Sequence, residues 1–394
     1  MKSVYDLDLR GKVVLKRIDL NSPVSGGKVL PNQRIREHAK SVRELSDMGA
    51  KVVLLSHQGS PGDEDFITLK QHALLLAEEV EKVVKFVPDV CGEEAKKAIK
   101  ELKNGEILLL ENVRFEEDEM KEEIVSEAKI VKELSPLADY FILDALSVSH
   151  RKQASVVGFG KKLPVLAGRT FMKEMEALDK VTGREEVVFV MGGSKVEDSL
   201  KIMKKQLGRK NKFLLGGVIA NLFLHADGND IGASMDYLIT HDLLKHADEV
   251  KEILAKHRKQ IMLPVDVGVS NESGKRENVR AGEKINGEIL DIGPETAKKY
   301  SGIIKRAKNV VMNGPMGIYE MPDFSEGTQE VLKAISESKA FSLIGGGHTI
   351  SALEALGIDK KRIGYISLSG KAFLRYLGGE ELVGVEMLRK RANR

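Results

Sequence analysis

Apolar runs of strand length alternate along the whole chain with longer stretches whose apolar positions recur every three or four residues. The runs at 12–17 (KVVLKR), 51–56 (KVVLLS), 106–111 (EILLLE) and 140–144 (YFILD) predict four buried strands. A second series at 186–191, 212–216, 260–265, 309–312, 341–345 and 364–369 predicts six more. Between them, stretches such as 37–49 and 68–84 carry the helical spacing. Strands apolar on both faces, alternating with helices, predict an α/β fold of two Rossmann-like domains whose parallel sheets are covered by helices. The two series part at 161–181, where Pro164 and Gly168 precede a helix-like stretch. That break predicts a helical connector, an N-terminal domain over 1–168 and a C-terminal domain over 169–394. The last residues can pack back on the N-terminal domain.

Ligands of parallel α/β sheets bind beyond the carboxyl ends of the strands. In the first half those ends read RIDLNSP, SHQGSPG, ENVRF and DALSVSHR. They supply Arg17, Asp19, Asn21, His57, Arg114, His150 and Arg151, with Arg34 nearby. Guanidinium forks match phosphate and carboxylate oxygens, so the set predicts a pocket for a small polyanion. In the second half the ends read GGSK, GGVIAN, NGPMG, GGGHT and SGKA. Glycines there admit a ligand to the backbone and free N–H groups at helix starts, which predicts a nucleotide phosphate site. No Walker A sequence occurs, because Gly364 and Gly370 before Lys371 are one residue too far apart. G-x-G-x-x-G is also incomplete, with Ile350 in the place of its third glycine. His241 and His246 are five apart, a poor spacing for one helical face, and read as surface residues.

Composition narrows the classes. With 394 residues, 42% apolar and 31% charged, the chain reads as two globular domains rather than a disordered or membrane protein. A net charge of +3 provides no field for nucleic acid or membrane. The single cysteine, Cys91, excludes disulfides within the chain and Cys-rich metal sites. The start MKSVYDLDLRGK lacks a signal-peptide core, so a cytoplasmic protein is expected. Small molecules are its expected partners, with no nucleic acid, no membrane, and a monomer or simple homo-oligomer. Two substrates on two domains point to a transferase that closes to exclude water.

The blocks RIDLNSPV, NQRI, GAKVVLLSHQG, ENVRF and SHRKQASVVG, followed by GGSKVED, DIGPET, NGPMGIYE, GGGHT and LGGEELVGVEML, run in order over essentially the whole chain. This series resembles the phosphoglycerate kinase family, in an archaeal-like branch. The resemblance implies reversible phosphoryl transfer between 1,3-bisphosphoglycerate and ADP, giving 3-phosphoglycerate and ATP, with Mg2+ accompanying the nucleotide and hinge bending joining the substrates. It implies that Asp19 and Asn21 hold the glycerate hydroxyl and carboxylate end. His57, Arg114 and Arg151 would hold the distal phosphate, and Arg34 would reach the transferring group with Arg17 in support. On the nucleotide side it implies Gly193, Gly217, Pro315 and Ile318 around the base, Glu320 at the ribose, and Ser194, Lys195 and Asn313 at the phosphates. The turn Gly345, Gly346, Gly347, His348 and Thr349 belongs to the same set, and Gly370 with Lys371 would face the transferred phosphate.

Four places depart from the family's commonest pattern. Ser60 stands where an arginine to the distal phosphate is usual, Ser199 where a lysine reaches the transferring group, and His348 where an aspartate holds magnesium. Ser369 and Lys371 stand in a loop that is usually glycine. Lys371 is expected to replace the cation missing at Ser199, and the protein ligand for the metal is left unassigned. Loss of one charge-assisted contact at Ser60 costs roughly 1.5–3 kcal/mol. On the residues alone, a kinase of another phosphorylated carboxylate and a nucleotide-binding protein without transfer stay open.

Overall fold

The computed structural model describes residues 1, 3–183 and 186–392. The chain divides into two compact units, Met1–Glu176 with Glu381–Arg394, and Ala177–Glu380. The first unit carries β1 (Val13–Arg17), β2 (Val24–Ser25), β3 (Lys28–Val29), β4 (Lys51–Leu55), β5 (Val84–Phe86), β6 (Ile107–Leu109), β7 (Tyr140–Leu143) and β8 (Val165–Ala167). β2 and β3 form an antiparallel hairpin; the other six make a parallel sheet in the order β5-β6-β4-β1-β7-β8. Val14 of the central strand pairs with Val52 on one side and Tyr140 on the other.

Helix Gln33–Asp47 shows how pattern becomes packing. The Asn32 side chain caps it, accepting from the backbone N–H groups of Arg34 (2.8 Å) and Ile35 (3.2 Å). Its buried Ile35, Ala39, Val42 and Leu45 recur at helical spacing and join the core formed by Val14, Val52, Leu54 and Ile142. Ile35, Val42 and Leu45 each contribute about 1.5–3 kcal/mol by leaving water.

The second unit carries β9 (Val187–Met191), β10 (Lys212–Leu215), β11 (Ile261–Met262), β12 (Asp266–Ser270), β13 (Arg276–Arg280), β14 (Glu288–Ile292), β15 (Asn309–Asn313), β16 (Phe341–Gly345) and β17 (Tyr365–Ile366). Six are parallel in the order β11-β10-β9-β15-β16-β17, and a separate antiparallel sheet runs β13-β12-β14. Val188, Val190, Val310, Met312 and Ile344 form its core with Val331, Leu332 and Ile335 of helix Glu326–Glu337.

Among the described residues all ten expected strands are present, and seven others had not been expected. The antiparallel sheet is the largest addition. β13 is largely exposed, so it lacks an apolar run, and its hairpin turns on Asn271, whose side chain accepts from Ser273 and Lys275 N–H. The helix expected over 68–84 spans Lys70–Val80; Glu81 is left-handed (φ 55°), and Val84 opens β5 instead.

The boundary between units falls within helix Arg169–Thr182 rather than before it. Its first turns are tied to the first unit: Arg169 pairs with Glu44, and Phe171 N–H donates to Asp144 Oδ1 (3.0 Å). Gly168 permits this, since a methyl group there would collide with the Asp144 carboxyl. Helix Val383–Ala392 also belongs to the first unit, where Gly384 N–H donates to Ser149 O (2.9 Å). Among the described residues no helix is long and apolar enough to cross a membrane.

Candidate functional site

In the first unit the chain builds outward from β1 in both directions, placing the switch point between β1 and β7. The polar residues gather there. Asp19, just after β1, accepts from Ser147 Oγ after β7 (2.6 Å) and from Asn21 N–H (3.0 Å). Arg34 Nε lies 3.5 Å from Oδ2, the oxygen that Ser147 also reaches, and Arg34 Nη1 donates to Asn21 O (3.1 Å). Burial would raise the Asp19 pKa, but the Arg34 guanidinium and the Ser147 hydroxyl hold it well below the usual carboxylate range. Asp19 is therefore an ionised acceptor at neutral pH, suited to a substrate hydroxyl.

His57 and Arg114 come from the ends of β4 and β6. Arg114 is buried; its Nη1 donates to Gly59 O and to Ser60 Oγ (2.9 Å), while its Nε has no partner. Ser60 thus orients a neighbouring guanidinium in place of supplying one. Asn112 supports the same loop, its amide donating to Gln58 O (2.8 Å) and Ile67 O (3.0 Å) and its oxygen accepting from Arg114 N–H (3.1 Å). Arg151 is half-buried after β7, with Nε 3.4 Å from His150 Nε2. Arg17, expected in support of Arg34, is fully buried, donating to Ser155 Oγ (2.9 Å) and to His57 Nδ1 (3.1 Å).

In the second unit the switch point lies between β9 and β15. A cleft of about 310 Å³ opens there, near the lower end for ligand sites. It is lined by Gly193, Ser194, Lys195, Gly217, Asn313, Pro315, Ile318, Glu320, Gly346, Gly347, His348 and Thr349 among others. Helices Val196–Gln206, Gly217–Ala226 and Gly347–Ala355 start at this cleft without side-chain caps, although the N–H groups of Val196, Gly217 and Val218 are already taken by backbone oxygens. The floor is backbone against backbone: Gly193 N–H donates to Pro315 O (2.8 Å) and Gly217 N–H to Met316 O (2.9 Å). A methyl group on Gly192 would overlap Pro315 O, and one on Gly314 would overlap Gly192 O.

Three expected nucleotide-side residues lie outside the lining. Gly345 is buried at the end of β16, where the Phe373 ring covers the place of a side chain. Gly370 and exposed Lys371 open the next helix, Lys371–Leu377, which packs on helix Val196–Gln206: Gln206 Nε2 donates to Leu377 O (3.0 Å). Thr349 is fully buried and its hydroxyl accepts from Gly314 N–H (2.8 Å), so it holds the loop after β15. Ser199 is buried with a partnerless hydroxyl. His241 is exposed and stacks on Tyr237, while His246 faces Glu197 and Glu249.

Asp291 was missed from sequence. Its carboxyl is buried beside this cleft, pushed up to about 6 by burial against the pull of Gly327 N–H and Arg276. Ser147, Ser155 and Glu119 were missed on the other unit, since each is defined by a partner at least 36 residues away.

The comparisons agree with this geometry. The family profile described as "Phosphoglycerate kinase" matches residues 4–380. The phosphoglycerate kinase of Methanopyrus kandleri is 42% identical over 98% of this chain and 97% of its own length, and that of Methanothermobacter thermautotrophicus is 42% identical over 98% and 96%. The crystal structure of phosphoglycerate kinase from Pyrococcus horikoshii OT3 matches with a TM-score of 0.91 at 37% identity, covering 100% of both chains. The Coxiella burnetii phosphoglycerate kinase structure gives 0.84 at 32% identity over 99% of each. On the strength of these matches, the chain belongs to the phosphoglycerate kinase family.

Proposed function

We propose that the first unit binds 3-phosphoglycerate or 1,3-bisphosphoglycerate at the ends of β1, β4, β6 and β7, and that the glycine-walled cleft of the second binds ADP or ATP. The chain is a phosphotransferase with a carboxyl acceptor, moving a phosphoryl group between 1,3-bisphosphoglycerate and ADP. The observation that carries the acceptor assignment is the buried Arg114 guanidinium at the end of β6, whose Nε is left without a partner. A buried donor of this kind is costly until an anion satisfies it.

In this reading Asp19 accepts the glycerate hydroxyl and Asn21 flanks the carboxylate. Arg114, His57 and Arg151 hold the distal phosphate, and Arg34 reaches the transferring group. Phosphoryl transfer passes through a loose transition state, so these residues act by position and charge rather than as strong bases. On the nucleotide side Lys195, Asn313 and the uncapped helix starts meet the phosphates, and Pro315, Ile318 and Glu320 meet the base and ribose. The reading is of a cytoplasmic enzyme of small molecules, monomeric or a simple homo-oligomer, with neither nucleic acid nor membrane as partner.

Magnesium needs separate treatment. Among the described residues no group of three His, Cys, Asp or Glu side chains is placed to hold a metal ion. His348 brings no carboxylate to the cleft wall, and no protein ligand for the ion is assigned there. This ion commonly keeps its waters and leans on nucleotide phosphates, and it would enter as part of MgATP or MgADP.

Because Ser199 brings no charge, Lys371 takes the part of that cation in this proposal. Lys371→Gly is expected to lower kcat roughly 10- to 100-fold, the loss of one charge-assisted contact. An unchanged kcat would remove Lys371 from the reaction. The division of ligands is tested by calorimetry. Both 3-phosphoglycerate and MgADP are expected to bind the native chain. Gly192→Ala is expected to weaken MgADP at least tenfold, about 1.4 kcal/mol, and to leave 3-phosphoglycerate unchanged. Nucleotide binding with no response to 3-phosphoglycerate would favour a protein without transfer activity.

A further inference from the structure

We propose that Arg17 is a positioning residue that fixes His57 as the neutral imidazole with its proton on Nε2, so that His57 presents one N–H donor, and no charge, to the acceptor anion. The inference rests on the acceptor assignment above for the identity of the anion, but its structural half stands without it. A guanidinium has five N–H donors and no acceptor. Arg17 Nη2 lies 3.1 Å from His57 Nδ1 with both residues buried, so Nδ1 must be the acceptor and cannot carry a proton. In a neutral ring the proton then sits on Nε2. Among the described residues none hydrogen-bonds Nε2, and His57 keeps 5% of its surface exposed, which leaves that N–H for a ligand.

Arg17 is itself held in place. Its Nε donates to Ser155 Oγ (2.9 Å), Ser155 Oγ donates to Glu119 Oε1 (2.6 Å), and Ser155 N–H donates to Glu119 Oε2 (2.9 Å). Arg17 and Glu119 are fully buried, so this chain of bonds has little freedom to rearrange. Burial lifts the Glu119 carboxyl to about 7 even against Ser155 and Arg17. The charged groups around the His57 ring are Arg17, Asp19, Arg34 and Arg151; burial and then Arg17 depress its pKa to about 3, with only Asp19 opposing. The ring therefore stays neutral through the physiological range, and its contribution to anion binding does not titrate there. An anion held beside Arg151 gains a directional donor from His57 without a further buried cation to repel the arginines there.

The test is a long-range 1H–15N correlation spectrum of the full-length chain labelled at histidine, with the His57 signals assigned by their loss in His57→Gln. The expected result is the neutral Nε2–H pattern, unchanged from about pH 5.5 to 8, a range spanning the ordinary histidine pKa. An imidazolium pattern, or a proton on Nδ1, would overturn the proposal from the native protein alone. Adding 3-phosphoglycerate should shift the His57 Nε2–H signal; calorimetric binding without that shift would overturn the donor role. If 3-phosphoglycerate does not bind at all, the acceptor assignment fails while the tautomer result still stands. In Arg17→Met the lock is removed, and His57 is expected to lose the single Nε2–H pattern and show a mixture of the two neutral tautomers. The signals of His225, His241 and His348 report that the other unit remains folded, and those of His38 and His72 that the first does. If Arg17→Met fails to fold, Arg17→Gln, whose amide is uncharged and can accept as well as donate, is read the same way. A folded variant that keeps the native His57 pattern at every pH would show that Arg17 does not set it.

Discussion

Arg34→Ala is expected to lower kcat by about 10²–10³, equivalent to roughly 3–4 kcal/mol of transition-state stabilisation, while the MgATP KM changes less than about twofold. Arg34 sits in the first turn of helix Gln33–Asp47, and its side chain is anchored twice, at Asn21 O and beside Asp19 Oδ2. A guanidinium held in that way is organised before charge develops, so little reorganisation is needed during transfer. The site around it should survive the substitution. Asp19 keeps Ser147 Oγ and Asn21 N–H as partners, and the Asn32 cap uses only the backbone of residue 34. The expected signature is a fall in kcat and kcat/KM together, the mark of an interaction made mainly in the transition state. A rise in KM for 3-phosphoglycerate with unchanged kcat would make Arg34 a binding residue only.

Asp144→Ala is expected to destabilise the first unit by about 3–5 kcal/mol, read as a lower denaturant midpoint. Asp144 is fully buried at the end of β7 and faces the Lys16 ammonium at 2.8 Å, also buried, with His38 Nδ1 at 3.8 Å. It also accepts from Ser41 Oγ and from Phe171 N–H in the first turn of the connecting helix. Removing the carboxylate strands a buried cation and frees the helix start together. Burial would raise its pKa, but Lys16 and then His38 pull it well below the ordinary carboxylate value. A folded pKa below the unfolded one gives stability that is complete above about pH 4 and is lost as pH falls toward the folded value. Lys16→Met combined with Asp144→Ala should recover much of the loss, because the stranded charge is gone. A double variant no more stable than Asp144→Ala would mean the pair is not what the single substitution breaks.

The parallel sheets were legible because a strand covered on both faces must be written as an apolar run, as in VVFVM of β9. The antiparallel sheet was not, since β13 (RENVR) is mostly exposed and reads as loop. Asp19, His57 and Arg114 could be picked out as polar residues directly after buried strands. Arg17 was grouped with them, yet one residue's difference in register turns it inward. Glu119 lies in the acidic stretch EEDEMKEE, where composition gives no sign that one carboxyl is fully buried and bonded to Ser155. Gly345 ran on from the strand into three glycines, and only the packing of Phe373 shows that the first faces the core.

The most direct measurement is 3-phosphoglycerate-dependent conversion of MgATP to ADP, followed through glyceraldehyde-3-phosphate dehydrogenase and NADH oxidation, with 3-phosphoglycerate omitted in parallel. The account predicts turnover that requires 3-phosphoglycerate and falls sharply in Arg34→Ala. ADP formation that is absent, or that proceeds equally without 3-phosphoglycerate, while calorimetry shows MgATP bound, would contradict it.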